Sequence, residues 1–87
     1  MNSKNKKILV PNHWKILLFL DKQKFLLDVS SKYDINFCYK IKDKYSINEL
    51  SRELFMQPEN VRRYIRELED LGELVTMKNK NKKLVIL

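Results

Sequence analysis

Residues 46–74 constrain the fold more than any other part of the chain, because two short helical patterns follow one another there. The first pattern opens with Ser46 and Glu49. At this spacing the serine hydroxyl can accept the Glu49 N–H while the carboxylate accepts the Ser46 N–H, which caps a helix. The apolar residues that follow are three and four positions apart and share one helix face; they are Ile47, Leu50 and Leu54.

A second helix is predicted from about residue 58 to residue 71. Pro58 suits a first helical position, because the N–H that proline lacks would have no partner there. The apolar residues of this segment recur at +4, +3 and +3 and predict a buried stripe; they are Val61, Ile65, Leu68 and Leu71. Gly72, the only glycine in the chain, stands where a left-handed residue is expected to end the helix.

A β-hairpin is predicted after Gly72, over about residues 74–87. Residues 74–77 and 83–87 read as strands, and residues 78–82 read as a polar turn in which asparagine can adopt a positive φ. A two-stranded unit is marginal alone, so the hairpin is expected to pack on the helices. Its hydrophobic side chains would face the helices and its lysines would face solvent.

Residues 46–87 resemble the second helix, the recognition helix and the wing of winged helix-turn-helix transcriptional regulators. The run ELSREL, followed by MQPENVRRYIRELEDLGEL, carries this resemblance. Residues 11–17 also resemble the preceding helix in regulators of the multiple-antibiotic-resistance type. The resemblance implies a mainly α domain with a small β-hairpin and DNA binding. One departure is the stretch of about 25 residues before Ser46, where the family usually has a short link.

The N-terminal half is predicted to hold a basic arm over residues 1–10, with a short strand at 8–10 as one interpretation. The rest, residues 11–87, is expected to form a single domain. A helix starts at Pro11. Trp14, Leu17 and Leu18 share one face, which Ile16, Phe19 and Leu20 widen, so this helix is predicted to be largely buried.

Residues 21–24 suit either an exposed turn of a longer helix or a break. Residues 25–27 resume the apolar pattern, and residues 28–45 are interpreted as a helical connector whose aromatic side chains complete the core or form a subunit contact. A degenerate copy of the two-helix unit is an alternative, because Val29, Tyr33 and Ile35 echo the spacing of Leu50, Leu54 and Met56.

Composition restricts the class of protein. The net charge is +7 and the sequence pI is near 9.6, which favours an anionic partner such as nucleic acid or a membrane surface. Residues 1–45 carry ten Lys against four Asp, whereas residues 46–87 carry eight Lys or Arg against seven Asp or Glu. The second half is therefore nearly neutral, and a DNA-binding face there requires the two signs to be separated in space.

Several other classes are not expected. The single cysteine, Cys38, cannot form an internal disulfide, which fits a reducing cytoplasm. The longest apolar run, residues 16–20, is too short to cross a bilayer. His13 and Cys38 have no partner at metal-ligand spacing. No phosphate-binding glycine loop or catalytic set stands out, so we expect neither an enzyme nor a cofactor, and no small-molecule ligand is identifiable.

The candidate DNA contacts on the second helix are the polar residues on the side opposite its apolar stripe, which is expected to face solvent. In a helix-turn-helix the N-terminal part of this helix enters the major groove, and arginine, asparagine and glutamine can pair with base edges. Arg66 lies deeper and suits a phosphate, as do the hairpin lysines. The full set is Gln57, Glu59, Asn60, Arg62, Arg63, Arg66, Lys78, Lys80, Lys82 and Lys83.

The acidic residues Glu67, Glu69, Asp70 and Glu73 collect at the far end of this helix. The competing interpretation is that the arginines merely form surface pairs, Arg62 with Glu69 and Arg63 with Glu67, which are worth little.

The leading functional hypothesis is sequence-specific binding of double-stranded DNA, by a transcriptional regulator acting as a homodimer. One alternative is a winged helix that binds an acidic protein. Another is a winged helix in replication or RNA binding. Loss of affinity for DNA with rising salt would distinguish the nucleic-acid readings from the protein-binding one.

Overall fold

The computed structural model describes residues 9–33 and 42–87, which form three helices and a three-stranded antiparallel sheet. The elements, in chain order, are α1 (Pro11–Tyr33), β1 (Lys44–Ser46), α2 (Ile47–Leu54), α3 (Pro58–Asp70), β2 (Val75–Asn79) and β3 (Lys82–Ile86). Strand β3 lies between β1 and β2. The expected mainly α fold with a small β-hairpin is therefore confirmed at this level.

The ends of α2 and α3 follow the local signals in the sequence. The Glu49 N–H donates to the Ser46 hydroxyl at 3.1 Å, and the Ser46 N–H donates to the Glu49 carboxylate at 2.9 Å, so the capping box is present. Pro58 is the first residue of α3. Gly72 adopts a φ of 77°, the left-handed conformation predicted for it.

The sheet has one strand more than predicted. Strand β1 pairs with the free edge of β3, with Tyr45 opposite Val85, and both side chains are buried. The Tyr45 ring packs edge-on against Phe19 of α1, with 5.3 Å between the ring centroids. The prediction of a helical connector reaching residue 45 is thus wrong at its C-terminal end. As an extended segment, these residues pair with the edge of β3 and at the same time place the Tyr45 ring in the core.

The short strand considered at residues 8–10 is absent from the part that the structure describes, since Leu9 and Val10 belong to no strand. The hairpin turn also differs from the prediction. Strands β2 and β3 are joined by only Lys80 and Asn81, and the positive φ, 58°, belongs to Lys80 rather than to an asparagine.

Helix α1 runs without a break through residues 21–24, so these form part of a longer helix. Its buried residues are His13, Ile16 and Leu20. Ile16 and Leu20 are buried as predicted, but Trp14 and Leu18 are 52% and 64% exposed, so the helix is less buried than predicted. The apolar positions cover more than one side of α1, and sequence spacing alone did not identify the side that packs on the core.

Several predictions fall on residues 1–8 or 34–41, outside the described residues. They are the basic arm, most of the proposed duplication, and the places of Phe37, Cys38 and Tyr39.

The core lies between the three helices and the inner face of the sheet. Its side chains come from every element except β2, and one comes from the segment before β2; they are Ile16, Leu20, Tyr45, Ile47, Leu50, Val61, Ile65, Leu68, Leu74 and Val85. Three residues of the predicted α3 stripe are fully buried, and Leu71 is half-buried. Among the described helices, none is long and apolar enough to cross a membrane.

Candidate nucleic-acid interface

Helix α3 is oriented by its buried stripe, which leaves the polar residues of its first turns in solvent. The exposed candidates on and just before this helix are Gln57, Glu59, Asn60, Arg62, Arg63 and Arg66. Since Val61 and Ile65 are completely buried, α3 cannot rotate about its axis without exposing them. The outward direction of the arginines is therefore a consequence of core packing.

Two acidic residues of α3 have partners other than these arginines. The Oε1 atom of Glu67 lies 2.7 Å from Nε2 of His13 on α1. The Oε1 atom of Glu69 lies 2.9 Å from Nζ of Lys83 on β3, and its other oxygen accepts a hydrogen bond from the Thr76 hydroxyl. Both acids are thereby directed to the flanks of α3.

These two acids are therefore not paired with the arginines of α3. Within residues 9–33 and 42–87, neither Arg62, Arg63 nor Arg66 takes part in an ion pair. The proposed pairs of Arg62 with Glu69 and of Arg63 with Glu67 are absent from this part of the chain. Three positive charges on one helix are thus available to an anionic partner.

The hairpin lysines differ in their surroundings. Lys83 is half-buried and paired with Glu69, so it joins the hairpin to α3. The Thr76 hydroxyl, and after it Lys83, hold the pKa of Glu69 below its ordinary value. Lys78, Lys80 and Lys82 are exposed, and no described carboxylate lies within ion-pair distance of them.

Arg63 is held by the ring beside it. Its guanidinium carbon lies 4.9 Å from the centroid of the Tyr64 ring, within the range of a cation–π contact. The Tyr64 hydroxyl accepts a hydrogen bond from the Asn12 side chain at 3.2 Å. This bond, and then Arg63, lower the pKa of Tyr64. Arg63 therefore lies on the α1 side of α3, whereas Arg62 faces the hairpin.

A polar groove of about 580 Å³ separates α2, α3 and the start of β3. We call it the cationic groove; its charged and amide residues are Asn48, Glu49, Arg52, Arg62, Asn81, Lys82 and Lys83. Four of these side chains are positive and one is negative. The negative one, Glu49, contacts Lys42 and caps α2. The groove therefore presents an excess of positive charge from three elements.

Arg52 and Asn48 were missing from the candidates derived from sequence. They are four residues apart on α2 and lie opposite its buried side, so they share an exposed face. Helical spacing alone identifies that face. Only the tertiary arrangement brings it against Arg62 and Lys82.

The structure brings together only some of the predicted residues. Arg62, Lys82 and Lys83 line the cationic groove, whereas Arg63 lines a separate cavity beside Val10, His13 and Glu67. The remaining candidates lie on the exposed start of α3, farther along it, or on the hairpin; they are Gln57, Glu59, Asn60, Arg66, Lys78 and Lys80.

Among the described residues, no group of three or more His, Cys, Asp or Glu side chains is placed to hold a metal ion. No known protein family, characterised protein or solved structure matches this chain. The arrangement of charges on α2, α3 and β3 is therefore the main guide to its function.

Proposed function

We propose that this protein is a winged helix domain that binds double-stranded DNA in a sequence-specific manner and regulates transcription. One observation carries the proposal. The three arginines on the exposed face of α3 have no carboxylate partner among the described residues, and two acids of the same helix, Glu67 and Glu69, contact His13, Lys83 and Thr76 instead.

The order of the elements supports a winged helix. A first helix and a short strand precede two helices joined by a tight turn, and a hairpin follows with β3 in the centre of the sheet. In this reading α2 and α3 are the helix-turn-helix and the β2–β3 hairpin is the wing. The second helix of such a unit lies in the major groove, with its N-terminal residues on base edges.

The exposed residues at the start of α3 would read the bases. Gln57 and Asn60 can pair with adenine, Arg62 can pair with guanine, and Glu59 can accept a hydrogen bond from the amino group of cytosine. Arg66, one turn after Arg62, is suited to a phosphate.

Backbone contacts would come from both sides of α3. Arg52 and Lys82 face Arg62 across the cationic groove, and Lys78 and Lys80 extend along the hairpin. Arginine and lysine contacts to phosphates position a protein on the duplex and release counterions. Lys83 contributes less, since its ammonium group already forms an ion pair with Glu69.

Fluorescence anisotropy with labelled duplexes, repeated over a range of salt concentrations, tests the proposal. We expect log K to fall with log salt, with a slope of about 0.9 for each phosphate neutralised. The double variant Arg62→Ala/Arg63→Ala should bind weakly. Its control is Lys22→Ala/Lys24→Ala, which removes the same charge from the exposed side of α1.

Three results would contradict the assignment. Equal binding by the double variant and its control at every salt concentration would exclude the α3 arginines as contacts. Absence of any affinity for duplex DNA at low salt would favour a protein-binding module whose partner is acidic. Preference for RNA over the same DNA sequence would favour the replication or RNA-binding alternative.

A further inference from the structure

Arg62 and Arg63 are neighbours on α3, yet they lie on different flanks of the helix. Successive residues of an α-helix are rotated by about 100° around its axis. Arg62 lines the cationic groove together with Arg52 and Lys82, whereas Arg63 lines a cavity of about 470 Å³ on the α1 side. Positive charge is therefore present on both flanks of α3.

The Tyr64 ring fixes the place of Arg63 on its flank. The guanidinium carbon of Arg63 lies 4.9 Å from the centroid of that ring. The ring is itself held at two points. It packs edge-on against the buried His13, with 5.0 Å between the ring centroids, and its hydroxyl accepts a hydrogen bond from the Asn12 side chain at 3.2 Å. Both partners belong to the first turn of α1, so the start of α1 determines where the ring lies.

A fixed ring changes what a contact made by Arg63 costs in entropy. Arg63 is exposed, and no carboxylate of residues 9–33 and 42–87 pairs with it. A free arginine side chain loses much rotamer freedom when it binds a ligand. Contact with a ring restricts the side chain beforehand, so less freedom is lost on binding. The guanidinium has five N–H donors, and the ring contact leaves donors for a second partner.

The partner that suits this flank is a phosphate group. Base edges form the floor of the major groove, and the two sugar-phosphate backbones form its walls. When α3 lies in this groove, one backbone runs beside each flank of the helix. The cationic groove then faces one strand, and Arg63 faces the other.

We infer that Tyr64 is a positioning residue, which fixes Arg63 for a phosphate of the strand on the α1 side of α3. Asn12 contributes by fixing the Tyr64 ring. This inference rests on the proposed binding of DNA. The pKa of Tyr64 is lowered, first by the Asn12 hydrogen bond and then by Arg63, which agrees with both contacts.

A double-mutant cycle on the affinity for DNA tests the positioning. The duplex is selected with wild type from a random-sequence library, and anisotropy measures its binding. Tyr64→Leu should weaken binding about threefold, the size of an exposed cation–π contact. In an Arg63→Ala background, the same change should have no further effect. In the matched Arg62→Ala background, it should still weaken binding about threefold, because the two sites are independent.

Conservative variants separate the ring from its hydroxyl. Tyr64→Phe keeps the ring, and Asn12→Ala removes the donor of the same hydrogen bond. Each should bind DNA with an affinity between those of wild type and Tyr64→Leu. Combining the two changes should cost no more than either alone, since both remove one bond. Circular dichroism and urea denaturation check that each variant is folded.

Replacing single phosphates of the duplex by neutral methylphosphonates locates the contacts. Neutralising the phosphate that Arg63 contacts should weaken binding by wild type and leave binding by Arg63→Ala unchanged. The same scan with Arg52→Ala identifies a phosphate on the side of the cationic groove. We expect these two phosphates to lie on opposite strands.

A titration without DNA tests the contact itself. Nuclear magnetic resonance of ring-labelled tyrosine follows the ionisation of Tyr64 separately from the other tyrosines. The pKa of Tyr64 should rise towards its ordinary value of 10.0 in Asn12→Ala and in Arg63→Ala. It should stay unchanged in the control Arg62→Ala.

Three results would overturn the inference while leaving the proposed function intact. They are equal effects of Tyr64→Leu in the Arg62→Ala and Arg63→Ala backgrounds, phosphates of Arg52 and Arg63 on the same strand, and a Tyr64 pKa that Arg63→Ala does not change. Absence of any affinity of wild type for duplex DNA would instead refute the proposed function, and the role of Tyr64 with it.

Discussion

The Nε2 atom of His13 lies 2.7 Å from the Oε1 atom of Glu67, and this contact joins the start of α1 to the last turn of α3. The Val10 N–H donates to the other ring nitrogen of His13 at 3.0 Å. Nδ1 is therefore an acceptor, so the neutral imidazole carries its proton on Nε2 and donates it to the Glu67 carboxylate. One buried side chain thus positions α3 and directs Glu67 away from Arg63.

We expect His13→Ala to lower the free energy of unfolding by about 2 kcal/mol, because it removes a hydrogen bond to a charged group and a buried ring. Urea denaturation measures the change. Lys24→Ala, at an exposed position of α1, is the control and should change stability by less than about 0.5 kcal/mol. Equal stability of the two variants would contradict a structural role for the His13–Glu67 contact.

Arg52 is the proposed DNA contact that the cationic groove adds to those expected from sequence. Arg52→Ala should reduce the slope of log K against log salt by about 0.9, the loss of one phosphate contact. Anisotropy titrations with one duplex at several salt concentrations provide the slope. An unchanged slope, equal to that of Lys24→Ala, would remove Arg52 from the interface.

Lys82 and Lys83 are neighbours in sequence with different predicted roles. Lys82→Ala should weaken DNA binding and leave stability unchanged, because the side chain is exposed in the cationic groove. Lys83→Ala should destabilise the fold by about 0.5 kcal/mol, since its partly exposed pair with Glu69 is screened by solvent. Paired measurements of affinity and urea stability distinguish the two. The reverse pattern would contradict the assignment.

Glu69 should contribute to the pH dependence of stability. Its pKa in the fold is lowered, first by the Thr76 hydroxyl and then by Lys83, from an ordinary value of 4.5. The stabilisation is therefore present above pH 4.5 and is lost as the pH falls through the lowered pKa. Urea denaturation across this acidic range should give a flatter profile for Thr76→Val than for wild type. Parallel profiles for wild type and Glu69→Gln would refute this contribution.

Phe55 ends α2 in the left-handed conformation, with φ at 55°, although its side chain is 94% exposed. A residue with a Cβ is strained there by about 1 kcal/mol, and no described packing compensates for the strain. Phe55→Gly should therefore raise stability by up to about 1 kcal/mol. Phe55→Ala retains the Cβ and should give no such gain. A loss of stability in the glycine variant would indicate that the ring makes a contact that exposure alone does not reveal.

The helices α2 and α3 were predictable because their signals are local. The cap of α2, the proline of α3 and the glycine after it act over three or four residues, and the apolar spacing of each helix allows one buried side. Helix α1 lacks this property. With apolar residues on two opposite sides, its spacing did not distinguish the face that contacts the core from the exposed face that carries Trp14 and Leu18.

The sequence by itself determined the two capped helices, the hairpin and the outward direction of Arg62, Arg63 and Arg66. Only the tertiary structure decided which polar side chains lie near one another. Glu67 contacts His13, Glu69 pairs with Lys83, and Arg52 lies across the groove from Arg62. Each of these three arrangements joins residues that are at least ten positions apart in the sequence. The hydrogen bond between Glu69 and Thr76 spans seven positions. The packing of the core sets the distances between the helices and strands, and these distances decide which charged side chains come into contact. The spacing of residues along one helix could therefore not reveal those partners.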